Sequence, residues 1–135
     1  MLKSKCIHPD IIHALAMCGH GDKILIADGN YPMDSMCEHS TKVWIGLTHG
    51  YPTVPQVLEV VANQVNIEKA EVMLPPDGST PESFGEFKAI LTDLELEGIE
   101  RIAFYSETGN PRIRLAILTG DNRGYSNILL TVGVV

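Results

Sequence analysis

Two ionisable residues, His20 and Asp28, stand at either end of a short apolar run in "GHGDKILIADGNYP", residues 19–32. Histidine, with an unperturbed pKa of about 6.5, is the side chain best suited to give and take a proton near neutrality. A second polar set lies near the C-terminus, where Tyr125 and Ser126 offer hydroxyls and Asn127 an amide that both donates and accepts. Carboxylate, hydroxyl and amide together are what a polyol such as a sugar requires of a binding site. Arg101, opening the run "RIAFY", is either a solvated edge charge or a donor to a sugar hydroxyl or ring oxygen. Each of these residues also has a purely structural reading. Gly-His-Gly can end a helix, Asp-Gly-Asn can be an ordinary turn and Tyr-Ser-Asn can lead into a strand. Spacing alone leaves both readings open.

Other chemistries find less support. His8 and His13 are five residues apart and do not share a helical face, and His39 and His49 lack a second ligand at metal spacing, so no metal site is expected. Cys18 falls on an apolar helix face. Cys37 lies near His39, but nothing in the sequence orients the two as a nucleophile and base. "GHGD" lacks the preceding strand and the third glycine of a dinucleotide fingerprint, and neither a phosphate-binding P-loop nor a G-x-S-x-G elbow occurs. Nucleotide cofactors and serine hydrolysis are therefore not indicated.

The elements that must position these residues can be read from periodicity. "HPDIIHALAMC" predicts a helix with Pro9 in its first turn and Gly19 just past its end. "KILIA" predicts a strand buried on both faces, which puts Asp28 in the loop at its C-terminal edge. "KVWIGL" predicts a second strand, "TVPQVLEVVANQV" a helix capped by Thr53, and "AEVML" a third strand. A helix is expected from Glu82 to about Leu96, with Phe84, Phe87, Leu91 and Leu94 inward. "RIAFY" and "RLAIL" then read as strands joined in a hairpin by "SETGNP", and "ILLTVGVV" as a closing strand. Helices alternating with strands, then strands in succession, predict a single-domain α/β fold over residues 1–135. Its sheet should be mixed and mostly parallel, with helices packed on it. In such sheets ligands gather outside the carboxyl ends of the strands, where "DGNYP" and "GDNRGYSN" are expected to lie.

The 135 residues and 44 % apolar content suffice for one core. Ten basic against seventeen acidic residues give a net charge of −7, and no stretch gathers lysine and arginine. Nucleic acid is thus not an expected partner. No apolar run approaches the roughly 18–20 residues of a bilayer span, and three cysteines without a C-x-x-C pair suggest free thiols in a reducing compartment. A cytoplasmic protein without membrane association is expected.

The segments "MCGHGDKILIADGNYP", "LTHGYPTVPQVLEVV", "RIAFY" and "ILTGDNRGYSNILLTVGVV" resemble, in order and over nearly the whole chain, the small sugar mutarotases comprising ribose pyranase and fucose mutarotase. Both ends look closer to the fucose branch, whereas "LTHGYPTVPQVLEVV" looks closer to ribose pyranase. The resemblance implies an isomerase that interconverts cyclic forms of a free monosaccharide, L-fucose above D-ribose, without metal or organic cofactor. It places the family's acid/base histidine on His20 and its substrate-binding residues on Asp28, Arg101, Tyr125, Ser126 and Asn127. It also implies a homo-oligomeric ring, commonly a decamer, with sites at subunit contacts, for which "ILLTVGVV" could supply a buried interface strand. Two rival expectations remain. One is a sugar-binding or transport-accessory protein that does no chemistry. The other is a metal-dependent hydrolase using His20, Asp22 and Asp28. If His20 and Asp28 are to touch one sugar, either His20 folds back along the sheet or it meets the Asp28 of a neighbouring subunit.

Overall fold

A computed structural model describes residues 1–135. The strands are β1 (Lys23–Ala27), β2 (Thr41–Trp44), β3 (Ile67–Leu74), β4 (Leu96–Glu100), β5 (Ile113–Leu118) and β6 (Ile128–Val132). They form one sheet in the order β2-β5-β1-β6-β3-β4. Every neighbouring pair is parallel except those made by β6, which runs antiparallel to β1 on one side and to β3 on the other. Five strands therefore end at the same edge, and their following loops converge there, as the sequence predicts for a mixed, mostly parallel sheet.

The helices are α1 (Pro9–Met17), α2 (Met33–Met36), α3 (Val54–Ala62), α4 (Glu82–Ile90) and α5 (Arg101–Thr108). Successive residues of β1 serve opposite faces of the sheet. Ile24 and Ile26 join the core made with Ile11 and Leu15 of α1, Val57, Leu58 and Val61 of α3, and Phe84 and Phe87 of α4. Leu25 and Ala27 join a smaller core with Met33 of α2 and Phe104 of α5. The α3 cap is as expected: Thr53 accepts the Gln56 amide and the Gln56 side chain accepts the Thr53 amide, a reciprocal box that fixes where the helix begins.

The C-terminal half departs from the sequence reading. The helix from Glu82 stops at Ile90, not near Leu96; a turn over 91–95 follows, and Leu96–Glu100 form edge strand β4. "RIAFY" is not a strand but the start of α5. The Glu100 carboxylate caps that helix by accepting the amides of Ile102 and Ala103. Phe104 and Thr108, four residues apart, turn inward, while Ile102 stays exposed. A short apolar run cannot be assigned to helix or strand by hydrophobicity alone, and here the acidic cap decides it. The expected hairpin is consequently absent. β5 follows α5 and pairs in parallel with β1 and β2, and β1 separates β5 from β6. "ILLTV" is also not an edge that awaits a partner: β6 lies inside the sheet, and all five of its residues are buried.

Phe104 carries the α5 contact and is fully buried. Phe104→Ala is expected to cost about 3–5 kcal/mol in urea unfolding, the usual penalty for emptying a core phenylalanine site. A loss below about 1 kcal/mol would contradict the placement of α5 against the sheet.

Candidate functional site

The residue just past β1 is Asp28, almost fully buried at the edge where the parallel strands end. Its backbone N–H donates to Asn127 Oδ1 (2.9 Å), and one of its carboxylate oxygens accepts the Asn30 amide (2.9 Å). The first of these bonds ties the end of β1 to the start of β6, so Asp28 and Asn127 are fixed relative to each other. Burial pushes the Asp28 carboxyl above the usual carboxylate range, and the nearby charge of Asp121 adds to this. The Asn30 amide, the Asn127 side chain and the Ser126 amide partly offset it. A buried carboxylate with lone pairs to spare accepts donors readily.

Asp28 opens onto a cavity of about 180 Å³ lined by Asn30, Tyr31, Met73, Arg101, Tyr105, Gly124, Tyr125 and Asn127. That volume is below the roughly 300–1,000 Å³ of pockets for drug-sized molecules and suits one small ring. Its lining is amphipathic, with a carboxylate, a guanidinium and two side-chain amides set against three tyrosines and a methionine. Tyr31 and Tyr105 lie 5.4 Å apart between ring centroids, and the Tyr31 hydroxyl shares a 2.6 Å hydrogen bond with Thr108.

Arg101 reaches this cavity because it begins a helix that follows β4. Had it begun a strand parallel to the others, it would stand at the opposite edge of the sheet. Tyr125 has φ of +62°, a left-handed conformation that costs a bulky residue about 1–2 kcal/mol. The loop that imposes this strain is anchored at several points. Asp121 accepts from Arg123 (2.8 Å) and from the Val54 amide at the start of α3 (3.1 Å), and Arg123 also reaches Glu86 of α4 (2.8 Å). Gly120 lies so close to the carbonyls of Tyr51 and Thr48 that a side chain there would run into both. Burial alone would raise the Asp121 carboxyl, but the Arg123 and Val54 hydrogen bonds outweigh it and hold the group below the usual range.

Ser126 differs from its neighbours. Its side chain is fully buried and its hydroxyl bonds Ser83 of α4 (2.9 Å), so it presents its amide, not its hydroxyl, towards Asp28. Asn30, Tyr31, Met73 and Tyr105 were not singled out in the sequence. Tyr105 sits one turn after Arg101, a relation that exists only if the segment is helical.

His20 is elsewhere. It lies in the turn before β1, at the other edge of the sheet, beside Gly19, Asn66 and Gly133. The strand between holds it about 20 Å from Asp28 at ~3.3 Å per residue, so it does not fold back along the sheet. The turn is rigidly held: the Gly19 amide donates to Asp22 Oδ2 (2.8 Å) and the Gly21 amide to the Val132 carbonyl (2.9 Å). His20, Asp22 and Asp28 therefore do not converge within one chain as the metal-dependent hydrolase reading requires. The Cys37–His39 pair also fails as a nucleophile, because Cys37 is buried, burial pushes its thiol up to about 11, and His39 is exposed.

The site is thus a small, polar-lined cavity at the carboxyl edge of the mixed, mostly parallel sheet of an α/β protein. The chain belongs to the RbsD / FucU transport protein family, whose model matches residues 1–135. It is 30 % identical over 134 residues to the D-ribose pyranase of Corynebacterium glutamicum, covering 99 % of this chain and 98 % of that one. Bacillus subtilis RbsD in complex with D-ribose superposes with a TM-score of 0.88 at 26 % identity, over 100 % of this chain and 99 % of the other. Fucose mutarotase from Streptococcus pneumoniae, in complex with L-fucose, shares the fold with a TM-score of 0.85 at 23 % identity, over the same shares of the two chains. The family is thus one of sugar-ring isomerases, as the sequence resemblance implies. No helix is long and apolar enough to cross a membrane.

Two stability measurements test this description. Because the carboxyl of Asp28 is raised in the folded state, ionising it opposes folding as pH rises through and above the ordinary carboxylate value. Asp28→Asn keeps the acceptor for Asn30 and removes the buried charge, so its thermal midpoint near pH 7 is expected at or above wild type; a clear fall would contradict the assignment. Arg123→Ala should cost about 2–3 kcal/mol, less than the 3–5 typical of a fully buried pair because the guanidinium keeps partial contact with water. Asp121 is the reverse case to Asp28: its lowered value means the pairing stabilises fully above about pH 3.9 and is lost as pH falls through the folded-state value. The gap between wild type and Arg123→Ala should therefore close in acid.

Proposed function

We propose that this protein is a cofactor-independent sugar mutarotase that interconverts the cyclic forms of a free monosaccharide. The observation that carries the proposal is the convergence of Asp28, Arg101, Tyr125 and Asn127 on one ring-sized cavity. Opening the ring requires removing a proton from the anomeric hydroxyl and delivering one to the ring oxygen; the open carbonyl form then rotates and recloses on either face. One group able to act as both acid and base suffices, and His20 is that group in this reading. Asp28 and Asn127 accept from and donate to sugar hydroxyls, Arg101 donates to a hydroxyl, Ser126 contributes its amide, and Tyr125 binds through its hydroxyl.

A proton transfer needs heavy atoms about 2.6–3.2 Å apart, far less than the span of β1. His20 must then come from a neighbouring copy of the chain. A contact between opposite sheet edges is head-to-tail, and such contacts form a ring where the rotation between successive copies closes. This supports the ring-shaped homo-oligomer, a decamer, that the sequence resemblance implies, with each site shared by two subunits. L-fucose is the sugar favoured by the two ends of the chain, and D-ribose is favoured by the names of its relatives. A cytoplasmic enzyme acting on a free sugar fits both.

Saturation transfer between sugar anomers, measured by NMR, tests the proposal on L-fucose and D-ribose side by side. The wild-type protein is expected to accelerate exchange with a chelator present. His20→Ala should lose about 10²–10⁴-fold in exchange rate. Asp28→Asn should weaken sugar binding by about 10–100-fold, the equivalent of one hydrogen bond to a charged group. The family description favours one second reading, a transport-accessory protein that only binds sugar; saturable binding without any acceleration would establish it in place of catalysis. The shared site has its own test. At sugar concentrations too low to fill the weakened Asp28→Asn pocket, His20→Ala and Asp28→Asn chains should each keep about a tenth of wild-type activity or less alone, and on co-expression should recover up to about one quarter, the share of head-to-tail contacts that pair an intact pocket with an intact histidine. No recovery in mixed rings would exclude a site built from two subunits.

A further inference from the structure

The turn that carries His20 faces a carboxylate that the fold has gone out of its way to place. Glu68 Oε1 and Oε2 lie 3.1 and 3.0 Å from His20 Nε2. Glu68 sits where the pairing of β3 with β6 slips, since Ile67 stands opposite Val132 and Lys69 opposite Thr131. It is the extra residue of a β-bulge, a device that re-aims a side chain out of the regular alternation of a strand. Gly133, the first residue after β6, makes room for it: a Cβ at that position would stand 3.1 Å from the Glu68 Cβ and 3.4 Å from its backbone nitrogen. The histidine side of the pair is equally fixed, through the Gly19–Asp22 turn and the Gly21 amide bond to Val132.

The His20–Glu68 pair itself does little for folding stability. The two side chains keep 59 % and 45 % of their surface exposed, and an ion pair so solvated adds little to the folded state. What they do achieve is a defined orientation of the imidazole ring. We propose that Glu68 is a positioning residue for His20. By accepting the Nε2–H it fixes the rotation of the ring and its tautomer, and leaves Nδ1 bare as the atom that exchanges a proton with the sugar. Glu68 itself neither touches substrate nor moves a proton. The inference rests on the reading of His20 as the acid/base group.

The test is Glu68→Ala in the full-length, assembled protein, with exchange measured over a range of sugar concentrations. The expected outcome is a kcat lower by about 10–100-fold with KM changed less than about twofold, the pattern of a lost orienting partner. The thermal midpoint should match wild type, and the His20 imidazole resonances should shift while amides across the rest of the chain do not. A wild-type kcat would overturn the inference, as would a loss of activity accompanied by a raised KM and a lowered thermal midpoint. His20→Ala, run in parallel, separates the two levels. If it abolishes exchange while Glu68→Ala does not, only the positioning role fails; if it leaves exchange intact, the acid/base reading fails and the positioning role with it.

Discussion

The rigidity of β1 governs everything else in this molecule. It is hydrogen-bonded on both sides, to β5 in parallel and to β6 in antiparallel fashion, and its last four residues are buried. Such a strand cannot bend to bring its ends together. His20 and Asp28 are therefore held at opposite edges, and the polar groups of one chain fall into two sets: a pocket at the carboxyl edge, and a histidine with its carboxylate partner at the other. In the proposed reading this separation is what makes assembly part of the chemistry, because neither edge is sufficient alone.

The two edges are also in different energetic states. The pocket holds features that cost stability: a buried carboxylate lifted above its ordinary range, and a tyrosine in a left-handed conformation. Both persist because the surrounding structure fixes them, through the Asp28–Asn127 bond and through the Asp121–Arg123 anchor that joins the loop to α3 and α4. Strain retained under such constraint is characteristic of binding and catalytic sites. The histidine edge carries no comparable cost. Its groups are solvated, and they are oriented by short local bonds rather than by burial.

Much of this was legible in the chain. The strand "KILIA", the capped helix after Thr53 and the placing of "DGNYP" and "GDNRGYSN" at one edge all follow from short-range rules: alternation, capping and turn chemistry. The class of fold follows from their order. What was not legible depends on contacts distant in sequence. The place of β6 between β1 and β3 is set by pairing across the whole chain, and a fully apolar strand reads the same inside a sheet as at an interface. The Glu68 bulge is a slip of register between β3 and β6, and register leaves no mark in a single strand's composition. Ser126 could be named as a polar group near the site, yet the direction of its hydroxyl is decided by Ser83, forty-three positions away.

The segment "RIAFY" is the most instructive case, because its reading as a strand and the placing of Arg101 at the pocket are incompatible, and the structure keeps only the second. Read as a strand parallel to its neighbours, it would carry Arg101 to the edge that holds His20, away from Asp28. Its assignment to the pocket came from resemblance to a family, not from that element. The reconciling feature is Glu100, whose carboxylate accepts the first free amides of α5 and so turns the chain from strand to helix at that point. With β4 ending and α5 beginning at the carboxyl edge, Arg101 and Tyr105, four residues apart, line the same cavity. One acidic cap thus determines both the class of the element and which edge of the sheet receives the guanidinium.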